Sequence, residues 1–123
     1  MTLESRIRFL STPAEVDSFL GENPTAAIFK AGTCHKTDEV FRHVEHHLAP
    51  RQGLPLGVIR VLEARFASNH VATRTGIAHE SPQLILFHGG RPVFDRDNWD
   101  ITDEAVAEGL KALDAAQQPV PRV

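Results

Sequence analysis

The chain has 123 residues, of which 41% are hydrophobic and 24% charged, a composition typical of a soluble globular protein rather than a disordered chain. Thirteen Lys and Arg against sixteen Asp and Glu give a formal net charge of −3. This balance argues against a protein that wraps a nucleic-acid duplex, because such proteins neutralise phosphates. The length is that of one domain, so we expect residues 1–123 to form a single domain.

The sequence contains no apolar run of signal-peptide length near its start and no stretch that approaches transmembrane length. We therefore expect a cytoplasmic protein that binds neither a membrane nor a nucleic acid. The chain has one cysteine, Cys34, and a lone thiol persists in a reducing compartment.

The first half of the chain alternates between strand and helix patterns. Residues 7–10 alternate like a short strand, and residues 12–15 (Thr-Pro-Ala-Glu) have the capping pattern of a helix that ends at residues 21–24. Residues 25–29 are mostly apolar, as in a strand covered on both faces. Residues 37–48 predict a helix whose apolar side chains recur at spacings of three and four. These inward-facing side chains are those of Val40, Phe41, Val44 and Leu48.

The second half continues the alternation. Residues 54–62 contain a second central strand, after which Ser68 and Asn69 cap a short helix that ends at Gly76. Residues 84–87 form a third strong strand.

The last part of the chain predicts a hairpin followed by a helix. Gly89 and Gly90 are a turn signal, and residues 92–95 form a short edge strand. Residues 102–104 (Thr-Asp-Glu) begin the last helix, and residues 117–123 are expected to fray. The inward-facing residues of the helix are Val106, Leu110 and Leu113.

This order of elements predicts an α/β protein with one mixed sheet and helices on both faces. In such proteins ligands collect beyond the carboxyl ends of the parallel strands. Cys34 lies at that end of its strand, just before a helix. The amides and the dipole of a helix N-terminus favour a thiolate over a thiol, so the position predicts a reactive cysteine. The alternative is a small buried hydrophobic residue.

The arrangement of two residues resembles that in thioredoxin-fold proteins: a cysteine follows the first core strand, and a proline, Pro82, precedes the third core strand. The resemblance implies that the Ser81–Pro82 peptide bond is cis and faces Cys34. The alternative is an ordinary proline at the start of a strand. Thr37 occupies the position where dithiol members carry a second cysteine. Its hydroxyl is able to bond the thiolate or cap the helix, but not to resolve a mixed disulfide.

The chain resembles more specifically the monothiol bacilliredoxins. The resemblance is carried by Phe29-Lys30, Thr33-Cys34, Ser68-Asn69, residues 76–83 (Gly-Ile-Ala-His-Glu-Ser-Pro-Gln) and residues 98–102 (Asn-Trp-Asp-Ile-Thr). One position differs, because His35 stands where proline usually follows the cysteine in this family.

The resemblance implies a thiol–disulfide oxidoreductase that removes bacillithiol from S-bacillithiolated protein cysteines. Cys34 would be the catalytic residue, and bacillithiol would act as a small-thiol co-substrate with no bound cofactor or metal. The implied substrate-binding residues are Thr33, His35, Lys36, Ser81 and Pro82. For His35 and Lys36, the alternative is a solvated first helical turn without a role.

Two other functions remain open from the sequence. One is a carrier that shares a ligand, such as an iron–sulfur cluster, through one cysteine per chain, although the Cys-Gly-Phe-Ser loop of cluster-carrying monothiol glutaredoxins is missing. The other is a thioredoxin-like docking domain with an inert thiol.

Several other features have structural interpretations. His43, His46 and His47 predict a solvated helix face rather than a zinc site, which needs further ligands. We expect His79 and Glu80 to support the proline loop, and Trp99 to pack over the edge of the sheet.

Overall fold

A computed structural model describes residues 2–118. The strands of this part of the chain are β1 (Ile7–Phe9), β2 (Ala26–Ala31), β3 (Leu56–Arg60), β4 (Gln83–His88) and β5 (Arg91–Asp97). Its helices are α1 (Leu3–Arg6), α2 (Pro13–Glu22), α3 (His35–Leu48), α4 (Arg65–Thr75) and α5 (Asp103–Gln117), with a 3-10 turn at Asn98–Asp100.

The strands form one mixed sheet in the order β1-β3-β2-β4-β5. β1, β3 and β2 are parallel, whereas β4 runs antiparallel to β2 and β5 antiparallel to β4. Gly89 and Gly90 join the last two strands with φ angles of 63° and 74°, which glycine adopts without steric cost. The predicted mixed sheet, hairpin turn and edge strand are confirmed.

Each face of the sheet carries its own apolar core, because successive side chains of a strand point to opposite faces. Phe29 of β2 packs with α3 and α5 on one face, and Ile28 packs with α2 and α4 on the other. The prediction of helices on both faces is confirmed. β2 lies between β3 and β4 in the middle of the sheet, so its carboxyl end presents the following loop at the centre of one edge.

Two helix starts differ from the sequence prediction. α3 begins at His35 rather than Thr37. The prediction placed the start too late because the first turn of the helix is polar and lies outside the apolar pattern. α4 begins at Arg65, so the prediction that Ser68 and Asn69 cap it is wrong. Ser68 lies inside the helix, 2% exposed, and its hydroxyl has a tertiary partner instead. Gly76 ends α4 as predicted, with a φ of 75°.

Other boundaries differ by a few residues. β3 covers 56–60 instead of 54–62, and the short helix α1 has no counterpart in the prediction. Gln117 is the last residue of α5, so the predicted frayed segment begins too early; residues 119–123 lie outside the described part. Between residues 2 and 118, no helix combines the length and the apolar character needed to cross a membrane.

Candidate active site

Cys34 occupies the N-cap of α3, directly beyond the carboxyl end of β2. Its backbone is extended, with φ −82° and ψ 158°, and its thiol is exposed. The alternative interpretation of Cys34 as a buried hydrophobic residue is therefore wrong. The thiol is open to a second molecule, as an exchange reaction requires.

The thiolate form of Cys34 is stabilised by its neighbours. The Thr37 hydroxyl lies 3.6 Å from Sγ and is the main cause that lowers the pKa of the thiol; the Thr37 amide, the charge of Lys36 and the Lys36 amide add to this effect. Desolvation opposes them and has a larger effect than either contribution of Lys36. The Thr37 N–H donates to the Cys34 carbonyl oxygen at 3.0 Å, and no backbone N–H of residues 2–118 makes a full capping hydrogen bond to the sulfur.

The loop before β4 lies against the cysteine loop. The Ser81–Pro82 peptide bond is cis, which is the conformation that the resemblance implies. A Cβ atom added to Gly32 would lie 2.8 Å from Ser81 Oγ and 3.3 Å from Thr37 Oγ1. Glycine at position 32 therefore permits Ser81 and Thr37 to approach the same point of the chain, two residues before Cys34.

Lys36 and Trp99 flank this site, and His35 turns away from it. Lys36 Nζ lies 6.0 Å from the centroid of the Trp99 ring, in a cation–π arrangement. Trp99 is 58% exposed and lies in the 3-10 turn that follows β5, the edge strand of the sheet. The His35 ring is exposed, and its Nε2 lies 3.0 Å from Glu39 Oε1, one turn along α3.

An apolar cavity of about 390 Å³ opens next to Thr33, on the α3 face of the sheet. Phe9, Phe29 and Phe41 line it, and the exposed Leu62 lies at its rim. Phe29 and Phe41 are 5.0 Å apart between ring centroids. Polar side chains also line this mainly apolar cavity: Thr33, Thr37, Asp38, Arg60 and Glu63.

A polar cluster lies beneath the cis-proline loop, on the other face of the sheet. Lys30 is 0% exposed, and its Nζ lies 3.2 Å from His79 Nδ1. The Ser68 hydroxyl lies 3.0 Å from the same nitrogen. The Gln83 amide donates to the Ala78 carbonyl at 3.1 Å and lies opposite Lys30 in the sheet. Burial lowers the pKa of Lys30 to about 8.

The contacts of His79 and Glu80 agree with the prediction that they support the proline loop. His79 joins the loop to β2 and α4, while Glu80 Oε2 accepts a hydrogen bond from Asn98 Nδ2 at 3.3 Å. Lys30 was not predicted to take part in this cluster. A lysine at an inward-facing position of an otherwise apolar strand is the signal that could have found it.

Two of the α3 histidines have a structural partner. His43 Nδ1 and His47 Nε2 lie 3.0 Å and 3.2 Å from the two carboxylate oxygens of Asp103, so they join α3 to the start of α5. The prediction of a wholly solvated histidine face is wrong for this pair. Between residues 2 and 118 no group of three or more His, Cys, Asp or Glu side chains is arranged to hold a metal ion.

The sheet order, the exposed thiol at the start of α3 and the cis-proline loop together define a thioredoxin-fold protein. Solved structures support this class. A protein described as a proposed oxidoreductase with a thioredoxin fold is 25% identical over 88% of this chain and 96% of its own, with a TM-score of 0.80. Mitochondrial thioredoxin 3 of Saccharomyces cerevisiae is 14% identical over 89% of this chain and 98% of its own, with a TM-score of 0.71.

A mutant thioredoxin from Halobacterium salinarum is 20% identical over 94% of this chain and 95% of its own, with a TM-score of 0.69. At these identities the two thioredoxins show the fold alone. The family described as monothiol bacilliredoxin BrxC matches residues 8–106. The chain belongs to this family, and its role is in thiol redox chemistry.

Proposed function

We propose that this protein removes bacillithiol from S-bacillithiolated cysteines of other proteins. The observation that carries the proposal is the exposed Cys34 thiol, held at the start of α3 with its pKa lowered, in a chain of the monothiol bacilliredoxin family. A thiolate that is accessible and stabilised is the nucleophile of disulfide exchange.

The reaction is one exchange of disulfide partners. The Cys34 thiolate attacks the bacillithiol sulfur of the mixed disulfide, a new S–S bond forms, and the repaired protein cysteine leaves as a thiolate that takes a proton from water. The chain has no second cysteine, so Cys34 cannot be released within the molecule. A second small thiol attacks the Cys34 mixed disulfide, forms a disulfide with bacillithiol and regenerates the Cys34 thiolate.

The residues around Cys34 have complementary roles in this proposal. Lys36, next to the thiol, attracts the carboxylates of the bacillithiol malate group. The backbone of Ser81, oriented by Pro82, pairs with an extended segment of the substrate. Thr33, which precedes the thiol in sequence, contacts the bound disulfide, whereas the ring of His35 lies beside Glu39, so any contact of His35 with the disulfide is through its backbone. The reducing cytoplasm is the compartment that suits a lone exchange-active thiol.

The proposal is tested by intact mass measurement of this protein after mixing with an S-bacillithiolated protein. We expect a gain of one bacillithiol per chain, and no gain in the Cys34→Ser variant, whose far-UV circular dichroism and thermal midpoint should match those of the wild type. Transfer that survives in Cys34→Ser would contradict the catalytic assignment. Equal transfer from an S-glutathionylated substrate would contradict the specificity for bacillithiol.

A further inference from the structure

Lys30 is a buried cation without a carboxylate partner in the described chain. Its side chain shares a face of β2 with Ile28, and its hydrogen-bond partner is His79 Nδ1 at 3.2 Å. Burial is the cause that lowers its pKa to about 8, so the ammonium form still predominates at pH 7. Buried charges are normally paired, and an exception calls for an explanation.

The charged Lys30 determines which nitrogen of His79 carries the proton. An ammonium group only donates hydrogen bonds, so Nδ1 of His79 accepts and the ring proton resides on Nε2. The Ser68 hydroxyl, 3.0 Å from Nδ1, is placed to donate to the same atom. Burial of the ring and the nearby charge of Lys30 both lower the pKa of His79, and so they favour the neutral ring.

The other edge of the His79 ring points away from the core. His79 is exposed although its Nδ1 is held by two buried residues, and within residues 2–118 Nε2 has no hydrogen-bond partner. The ring lies in the same loop as Ser81, whose hydroxyl oxygen approaches Gly32. His79 precedes Ser81 by two residues and Gly32 precedes Cys34 by two, and each of these spans is at most roughly 7 Å. The Nε2–H donor therefore lies on the loop that borders the cysteine loop.

We propose that His79 binds the small thiol, with Nε2–H donating a hydrogen bond to a carboxylate or carbonyl oxygen of bacillithiol while its sulfur is bound to Cys34. Lys30 acts as a positioning residue that holds the ring in this tautomer. The inference rests on the proposed function and adds to it a contact between bacillithiol and the cis-proline loop. The cavity on the α3 face is walled mainly by apolar side chains; its charged residues are Asp38, Glu63 and Arg60, and Arg60 Nη1 lies 3.9 Å from Glu63 Oε2.

Two variants of His79 separate recognition from support of the loop. In His79→Asn, the amide oxygen occupies the position of Nδ1 and accepts from Lys30 and Ser68, but no donor reaches outward. In His79→Gln, the longer amide reaches the position of Nε2 and keeps a donor there. Transfer is measured from one peptide carrying either bacillithiol or 2-mercaptoethanol in its mixed disulfide, since the second donor has no carboxylate or carbonyl.

We expect His79→Asn to slow transfer of bacillithiol by about tenfold, as for a lost hydrogen bond to a charged group, through a higher KM. Transfer of 2-mercaptoethanol and the thermal midpoint should stay unchanged, and His79→Gln should retain most of the bacillithiol rate. Equal losses with both donors, or no loss with either, would overturn the role of His79. Equal wild-type rates for both donors would instead overturn the proposed function itself.

The role of Lys30 has a spectroscopic test. The ¹⁵N chemical shifts of the His79 ring should show a protonated Nε2 and an unprotonated Nδ1 in the wild type. In Lys30→Met, Nδ1 becomes free to donate to the Ser68 hydroxyl, so the Nδ1–H tautomer should grow and bacillithiol transfer should fall, with 2-mercaptoethanol transfer unchanged. A wild-type ring protonated at Nδ1, or an unchanged tautomer in Lys30→Met, would refute the positioning role.

Discussion

At the scale of single residues, the reactivity of Cys34 depends on a few groups around one sulfur atom. The Thr37 hydroxyl, 3.6 Å from Sγ, is the strongest of them, and Thr37 itself is buried at the third position of α3. A hydroxyl that donates to a thiolate stabilises the charged form and lowers the pKa. Thr37 stands at the position where a dithiol member would carry its second cysteine, and it lowers the pKa of the Cys34 thiol.

Thr37→Val removes this hydroxyl while keeping the branched shape of the side chain. Because the charged form loses a hydrogen bond, the pKa of Cys34 rises and the thiolate fraction at pH 7 falls. We expect alkylation of Cys34 by iodoacetamide, followed by intact mass, to be several-fold slower at pH 7 and to approach the wild-type rate at high pH. Thr37→Ser keeps the hydroxyl and should retain the wild-type profile. Identical pH profiles for Thr37→Val and wild type would show that the hydroxyl has no such effect.

At the scale of secondary-structure elements, α5 lies unusually close to the sheet at Gly109. A Cβ atom added there would lie 2.6 Å from Phe94 Cδ2 and 3.0 Å from Leu86 Cδ1. These contacts are shorter than van der Waals distance, and the neighbours are buried side chains of β5 and β4. The close approach of α5 to the sheet thus depends on glycine, which has no side chain, at position 109.

Gly109→Ala should destabilise the protein although alanine is the better helix former. Overpacking of a core costs about 1–3 kcal/mol, which exceeds the gain in helix propensity of about 1 kcal/mol. Urea unfolding followed by circular dichroism measures the difference. Gly21→Ala, in the last turn of α2, is the matched control, because apart from its chain neighbours and the backbone of its own helix no heavy atom of residues 2–118 lies within 4 Å of its added Cβ. This control should be neutral or slightly stabilising, and a stabilised Gly109→Ala variant would contradict the close contact.

At the scale of the whole molecule, the buried Lys30 makes the free energy of unfolding depend on pH. Its pKa is about 8 in the folded chain, against an ordinary value of 10.5 that we take for the unfolded chain. Between these two values the unfolded chain binds the extra proton, so this group raises stability as the pH increases. Below pH 8 both states are protonated, and the full cost of the buried charge is present.

Lys30→Met should therefore stabilise the fold at pH 7, by up to about 3 kcal/mol if the whole pKa shift is recovered. The difference between variant and wild type should shrink as the pH rises from 8 toward 10.5. Urea unfolding of both proteins at pH 7 and pH 9.5 measures the difference. A variant that is less stable at pH 7, or a difference that does not change with pH, would contradict this account of the buried charge.

The order of the elements was predictable because its signals are local. Apolar spacing in residues 37–48, the Thr-Pro-Ala-Glu cap and the paired glycines each depend on a few neighbouring residues. The boundaries of α3 and α4 were less predictable. The polar first turn of α3 carries no apolar periodicity, and Ser68 looks like a helix cap although its hydroxyl is used in a tertiary contact.

The amino-acid sequence by itself determined the α/β architecture, the position of the lone cysteine at a helix start and the family resemblance, since all three are properties of residue order. The tertiary structure alone decided which groups meet. Lys30, Ser68 and His79 come from a strand, a helix and a loop, and the approach of Ser81 to Gly32 joins segments far apart in the chain. Such contacts depend on the packing of several elements at once, so no local pattern encodes them.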